Sequence, residues 1–307
     1  MIITKLTGGI GNQMFQYAVG RTLSYKYKTD LLLDISFYNT QSSDIKRIFS
    51  LDSFNIKARI ASQNENRRLC KWQYFSFIPK RIYRNILPKH FTNYLKEKDV
   101  TCYINKKSQY YDKRVLKIGD NVVLQGYWGN ENYFISIEQT IRKEFTLKDE
   151  LISPAFLEIE NEILSKNSVS IHFRRTDYLN KQNGIYELFG ICEKEYYDAA
   201  ITYILSRIVS PYFFIFTDDV EWVKNNFRLS FPNYLVSYNN FKDYEELMLM
   251  SYCKHNIIAN STFSWWGAWL NNFTEKQIIA PKKWFRNPFY QNFYEKSDFV
   301  PHTWTRL

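Results

Sequence analysis

Residues 168–180 read SVSIHFRRTDYLN. The first six alternate small side chains with β-branched or aromatic ones, over a length that suits a strand covered on both faces. The charge begins where that run ends: His172 closes it, and Arg174, Arg175 and Asp177 follow. So much charge against the end of a buried strand has the character of a site.

The same unit recurs downstream. Strand-like runs at 212–216, 234–237 and 256–259 alternate with helix-like runs at 193–208, 219–226, 244–253 and 264–270. Strands and helices in strict alternation make a parallel sheet clothed by helices on both faces. Ligands of such sheets bind beyond the carboxyl ends of the strands. The polar clusters fall at those ends: His172 to Asp177 after one strand, Thr217, Asp218 and Asp219 after the next, and Asn260, Ser261, Thr262, Ser264 and Trp265 after the last.

Each cluster has two readings. The planar fork of arginine grips phosphate, and two in succession suit a diphosphate; alternatively, Arg175 and Asp177 form a structural ion pair. Ser and Thr in ANSTFSWWGAW open a helix whose free amides and dipole favour an anion. They also serve as ordinary caps. Two phosphate-type features at neighbouring strand ends point to a nucleotide diphosphate.

The first half begins with a strand at 2–6, a turn TGGIGNQ at 7–13 and a helix at 14–28. Gly8, Gly9 and Gly11 allow close approach of backbone to a ligand, and Asn12 and Gln13 can hydrogen-bond sugar hydroxyls. The turn lacks the Gly pattern of a dinucleotide fingerprint and the Lys of a P-loop. Its other reading is a tight turn with Asn12 as helix cap. A strand at 30–35, another at 121–127 and a helix at 131–145 complete this half, and the domains divide as 1–150 and 151–307.

The 307 residues, 45% hydrophobic, suffice for one large or two medium cores. No signal-like segment opens the sequence and the longest uncharged run, 256–274, is broken by Asn, Ser and Thr, so a cytoplasmic protein is expected. Four scattered cysteines and four scattered histidines give neither a disulfide framework nor a zinc pattern. Two Asn-x-Ser/Thr sequons, at Asn260 and Asn272, carry no meaning in such a protein. Net charge is +10, and residues 57–117 hold 16 Lys or Arg against 4 Asp or Glu, interleaved with aromatics. That stretch reads as an insertion that meets an anionic membrane or an acceptor, or as a solvated face. Nucleic acid is not expected, because no nucleic-acid motif is present. No Asp-x-Asp occurs, so the carboxylate pair that holds a metal around a diphosphate is missing and no metal or other cofactor is expected.

The motifs GGIGNQMFQYAVGRTLS (8–24), HFRRTDY (172–178), FTDD (216–219) and CKHNIIANSTFSWWGAWLN (253–271) together resemble glycosyltransferase family 11, the bacterial α-1,2-fucosyltransferases. Their order and spacing match over nearly the entire chain. The resemblance implies an α/β fold of GT-B type, with two Rossmann-like halves whose parallel sheets face a cleft. It implies inverting, metal-independent transfer of L-fucose from GDP-fucose to the 2-hydroxyl of a galactose, in O-antigen or surface polysaccharide synthesis. Implied partners are GDP-fucose and a galactose-terminated, lipid-linked glycan, with peripheral contact to the cytoplasmic face of the inner membrane. Arg174 would contact the β-phosphate, with Ser264 and the amides around Thr262 to Trp265 on its other side. His172 would lie beside guanine.

Two departures stand out. The family's Glu-Asp-Met or Glu-Asp-Leu reads EEL at 245–247, making Glu246 the partner of the guanine edge, and its His-Gly-Val-Cys reads FGIC at 189–192, placing Phe189 where acceptor contacts would differ. For the general base Asp177 is the nearest candidate, with orientation of the arginines as its equal alternative and Glu187 as a weaker candidate. The rival readings are another GDP-sugar transferase and a basic protein that binds nucleic acid or anionic glycan.

Overall fold

The computed structural model describes residues 1–41, 46–65, 94–96, 111–181 and 184–307. Most of the basic aromatic stretch, 66–93 and 97–110, lies outside the described residues. The chain divides into two compact units, Met1–Leu51 with Ile56–Glu144, and Asp52–Asn55 with Phe145–Leu307.

The first unit is built on a sheet of order β3-β2-β1-β5-β4, from β1 (Ile2–Lys5), β2 (Leu31–Asp34), β3 (Arg59–Ile60), β4 (Tyr94–Lys96) and β5 (Val122–Gln125). Every pairing is parallel. The apolar run Ile2, Ile3 is fully buried because β1 is central, with neighbours on both sides. The helix Ile10–Tyr27 crosses this sheet and begins four residues before the expected 14. Gly8 adopts φ +77 and Gly9 is the cap, so Asn12 sits in the first turn instead of capping it. Gly20 fits where no larger residue would: a Cβ there would lie 2.8 Å from Leu31 Cδ1 and still closer to Thr4 Oγ1. Tyr17 and Arg21 of the same helix donate to buried Glu144, the hydroxyl singly and the guanidinium as a fork, joining the two ends of the unit's sequence. Burial pushes the Tyr17 hydroxyl up, and the Glu144 carboxylate pushes it further.

The helix expected at 131–145 is a correction. Two 3₁₀ turns, Glu131–Tyr133 and Ile135–Ile137, precede a shorter helix, Glu138–Glu144. The Asn130 side chain accepts from Asn132 N at 2.9 Å, starting the first turn, and Phe134 at φ −137 interrupts it. That kink buries both Tyr133 and Phe134, which a straight helix would place on different sides.

The second unit has a sheet of order β11-β10-β9-β6-β7-β8, from β6 (Asn167–Phe173), β7 (Pro211–Thr217), β8 (Asn233–Leu235), β9 (His255–Ile257), β10 (Ile278–Ala280) and β11 (Thr305–Arg306). It too is parallel throughout. Val169, Ile171, Phe173, Phe213, Ile215 and Ile257 pack against Tyr197, Ala200, Ile201 and Ile204 of the helix Lys194–Leu205. Side chains of this kind, fully buried, stabilise by about 1.5–3 kcal/mol each. The expected strand at 234–237 stops at Leu235 and becomes a 3₁₀ turn, Val236–Asn239, because Ser237 turns inward to accept from Thr217 N at 2.8 Å.

Helix Thr262–Leu270 carries Trp265, Trp266 and Trp269, all buried, and Gly267 lets it approach Met250 of the helix Asp243–Tyr252. The short crossing segment Asp52–Asn55 also belongs here. Phe54 is completely buried, 5.7 Å from the Phe145 ring, which in turn meets Trp266 at 5.2 Å. Backbone bonds Asn55 N to Thr146 O and Lys148 N to Ser53 O pin the segment down.

Candidate functional site

Parallel register sets the site. Phe173 of β6 stands opposite Thr217 of β7, so the next residues of each strand, Arg174 and Asp218, emerge together. Arg174 Nη1 lies 3.2 Å from Asp218 Oδ2 and its Nη2 lies 2.7 Å from Asp177 Oδ1. Its guanidinium also stands over the Tyr178 ring, 5.5 Å from the centroid. Burial works against this charge, but the Asp218 and Asp177 carboxylates prevail and hold its pKa above the usual arginine value. The arginine is therefore a fixed cation.

Asp218 is the hub of the turn. Besides Arg174 it accepts from Arg175 N at 2.8 Å, Thr176 N at 3.3 Å and Thr176 Oγ1 at 2.7 Å. Arg175 is engaged elsewhere: its guanidinium lies 3.5 Å from the Trp222 ring centroid and 3.4 Å from Asp219 Oδ2. Asp219 in turn caps the helix Val220–Asn226 by accepting from Trp222 N. The pair of Arg175 with Asp177, one reading of the sequence, is replaced by a pair with Asp219. The two arginines differ accordingly, Arg174 held at a strand end and Arg175 stacked on an aromatic ring.

His172 is buried, and its Nδ1 has no hydrogen-bond partner among the described residues. Burial, aided by Arg174, lowers its pKa to about 3, so the imidazole is neutral. Its carbonyl accepts from the Tyr197 hydroxyl, and its ring packs 5.2 Å from Phe263. Glu246, on the Asp243–Tyr252 helix, has its pKa raised to about 7 by burial, opposed by a hydrogen bond with Ser237 and reinforced by Asp218.

The loop after β9 is more internal than its polar sequence suggests. Asn260 is buried and its amide donates to the carbonyls of Gly190 and Trp284, at 3.4 and 2.9 Å. Ser261 is the helix cap, accepting from Phe263 N. Ser264 has no exposed surface, and its hydroxyl lies 3.2 Å from the Ala259 and Ser261 carbonyls. Trp265 is buried and its Nε1 donates to Phe299 O. Thr262, half-buried, opens the helix.

In the first unit, Gln13 is likewise buried. Its carboxamide donates to Gly8 O and Ile48 O and accepts from Ser50 N, tying the 48–50 segment to the glycine turn. Gly8 O also accepts from Tyr38 Oη. Gly11 and Asn12 lie in the helix's first turn, after the Gly9 cap.

Glu187 is exposed and 3.8 Å from Arg286 Nε. Phe189 stacks between Tyr178, 5.0 Å away at 12°, and Phe285, 5.3 Å away at 28°. Sequence reasoning named neither Tyr178 nor Trp222 as part of the site. Tyr178 closes the HFRRTDY motif and was there to be found; nothing in the sequence ties Trp222 to Arg175 forty-seven positions earlier. Among the described residues no three His, Cys, Asp or Glu side chains gather as metal ligands, and no helix is long and apolar enough to cross a membrane.

Comparison with known proteins gives a consistent picture. Over 98% of its length the chain is 33% identical to an O-antigen biosynthesis glycosyltransferase, WbnK, of Escherichia coli, covering 99% of that protein. It is 32% identical over its whole length to an alpha-1,2-colitosyltransferase of the same organism, again covering 99% of it. Over 60% of the chain, and 55% of the other protein, it is 24% identical to galactoside alpha-(1,2)-fucosyltransferase 2 of Sus scrofa. The crystal structure of fucosyltransferase NodZ from Bradyrhizobium has the same fold, with a TM-score of 0.50, 11% identity and coverage of 87% of this chain and 92% of that one. The model of glycosyl transferase family 11 matches residues 1–307. The α/β fold with two parallel-sheet halves is thus the fold of a known transferase, and the chain belongs to glycosyltransferase family 11.

Proposed function

We propose that this glycosyltransferase moves L-fucose from GDP-fucose to the 2-hydroxyl of a galactose residue, with inversion and without a metal, in building a bacterial surface polysaccharide such as O-antigen. The observation that carries the reading is Arg174, a partly buried, permanently charged guanidinium fixed at the end of a central strand of the second unit. As the bond between fucose C1 and the phosphate oxygen breaks, negative charge grows on departing GDP, and a cation already in place stabilises it without reorganising. The galactose O2 forms the new bond to C1 from the opposite side, and its proton leaves late. In this reading Asp177, 2.7 Å from Arg174, orients the arginine. His172, with its neutral ring and open Nδ1, and Glu246 frame the purine end of the donor. The positive charge that other transferases draw from a metal comes here from arginine, in line with the absence of any Asp-x-Asp.

The names of the relatives support the α-1,2 linkage and the polysaccharide setting. One of them favours a second donor. The colitosyltransferase relative is 32% identical over the whole chain, against 24% over 60% of it for the galactoside fucosyltransferase, and colitose is the 3-deoxy counterpart of L-fucose. The acceptor is taken to be a lipid-linked glycan at the cytoplasmic face of the inner membrane.

The test is GDP release from GDP-fucose and from GDP-colitose over a panel of galactosides with EDTA present, native chain against Arg174→Ala. Galactoside-dependent turnover that survives EDTA and drops at least about a hundredfold in the variant is expected. Turnover with GDP-colitose alone corrects the donor, and loss of turnover in EDTA overturns the metal-free reading.

A further inference from the structure

Two carboxylates hold Arg174 at its edges, and an edge-held guanidinium can still pivot about the axis joining them. Tyr178 closes that freedom. Its ring lies 5.5 Å from the guanidinium and stacks on Phe189 at 5.0 Å and 12°, and its hydroxyl donates to Asn260 O at 3.1 Å. Phe189 is itself backed by Phe285, and Phe189 O accepts from Arg286 N at 3.0 Å, so the stack has a fixed base. The Asn260 carbonyl belongs to the loop after β9, held by its own amide on Gly190 and Trp284. Through one side chain, the arginine after β6 is registered against the strand end next to it.

We infer that Tyr178 is a positioning residue for Arg174, setting the plane of the guanidinium against the donor diphosphate through its ring and tying that plane to the β9 loop through its hydroxyl. The inference rests on the donor-site reading above. Phe189 acts one step further back, by keeping the Tyr178 ring flat; an imidazole in its place would stack less extensively.

The experiment is a double-mutant cycle read in GDP affinity by titration calorimetry, with Tyr178→Leu and Arg174→Gln singly and together. Tyr178→Leu is expected to weaken GDP about five- to tenfold in the native background and less than about twofold in the Arg174→Gln background, because its effect passes through the arginine. Turnover should fall with little change in the acceptor KM, and Tyr178→Phe, which keeps the ring, should recover most of the affinity. Equal losses in both backgrounds overturn the inference, as does a rise in acceptor KM alone. Should Tyr178→Leu fail to fold, the cycle runs with Phe189→Leu, which removes the stack that holds the Tyr178 ring, and a loss that persists beside Arg174→Gln sinks it. The same cycle read in urea unfolding reports the contact without any ligand. If the native chain binds no GDP while coupling in unfolding remains, the donor-site reading has failed and the contact stands as packing only.

Discussion

Replacing Asp218 by Asn changes one atom that two neighbours cannot do without. Asp218 Oδ1 accepts from Arg175 N, and an amide oxygen keeps that bond. At the other position an NH₂ group replaces Oδ2, which accepts from Thr176 N at 3.3 Å and Thr176 Oγ1 at 2.7 Å and faces Arg174 Nη1 at 3.2 Å. The Thr176 hydroxyl can rotate and accept, so that contact survives. The Thr176 amide and the arginine are pure donors, and each now meets a donor. A hydrogen bond to a charged group contributes about 1.5–3 kcal/mol, and the long, exposed Thr176 N contact falls below that range. The combined loss comes to about 2–3 kcal/mol. For a unit of this size each kcal/mol moves the melting midpoint by about 2–4 °C, so a fall of roughly 4–12 °C is expected. With one edge of Arg174 released, GDP affinity is expected to drop about tenfold. Scanning calorimetry and GDP titration on the same sample measure both. A midpoint within about 1 °C of native together with native affinity would refute the hub; a lowered midpoint with native affinity would confine Asp218 to holding the turn.

Burial lifts the Glu246 carboxyl from about 4.5 to about 7. A carboxyl with a raised folded pKa binds more protons when folded, so its contribution is complete below the unfolded value and is lost as pH rises through about 7. Glu246→Gln should remove that fall from denaturant midpoints measured across the range, and an unchanged profile would count against the burial of this group. Gly20→Ala gains about 1 kcal/mol in helix propensity but forces a methyl against Leu31 and Thr4; a net loss of about 1–2 kcal/mol in urea unfolding is expected, and stabilisation would show the helix free to shift. Reversing four of the Lys or Arg charges in 57–117 should abolish co-sedimentation with anionic liposomes, and unchanged sedimentation would end the membrane role of that stretch.

The second sheet was legible because its code is local. Residues 168–173 and 212–216 are apolar runs of strand length that end in charge, and both strands fall within a residue or two of those limits. β10, β11 and the helix Pro288–Glu295 were passed over, although Asn287 before Pro288 is a recognisable cap and first-turn pair. In the first half the early start of the helix at Ile10 follows from a backbone that only Gly8 adopts easily, which a reading by apolar period does not see. For the candidate site, residue type and strand-end position pointed to Arg174, Asp177, His172 and Asp218, and the structure brings the arginine and the two aspartates together. What they could not give is direction. Gln13, Asn260 and Ser264 are polar and near the right ends, yet they turn inward to satisfy buried backbone, and Arg175 differs from Arg174 only because Trp222 returns beside it from the next helix.

The crossing segment that carries Phe54 bears on how the protein is made and how it can be cut. A ribosome releases Phe54 long before it releases Phe145 and Trp266, the rings that cover it, so the later half cannot complete its interior from its own nascent sequence alone. A break between Glu144 and Phe145 would leave the downstream fragment with a phenylalanine-sized hole, one unanswered backbone donor, Lys148 N, and one unanswered acceptor, Thr146 O. Split versions meant for separate expression of the halves would have to carry the 52–55 segment with the second one, as an added peptide or a permuted terminus.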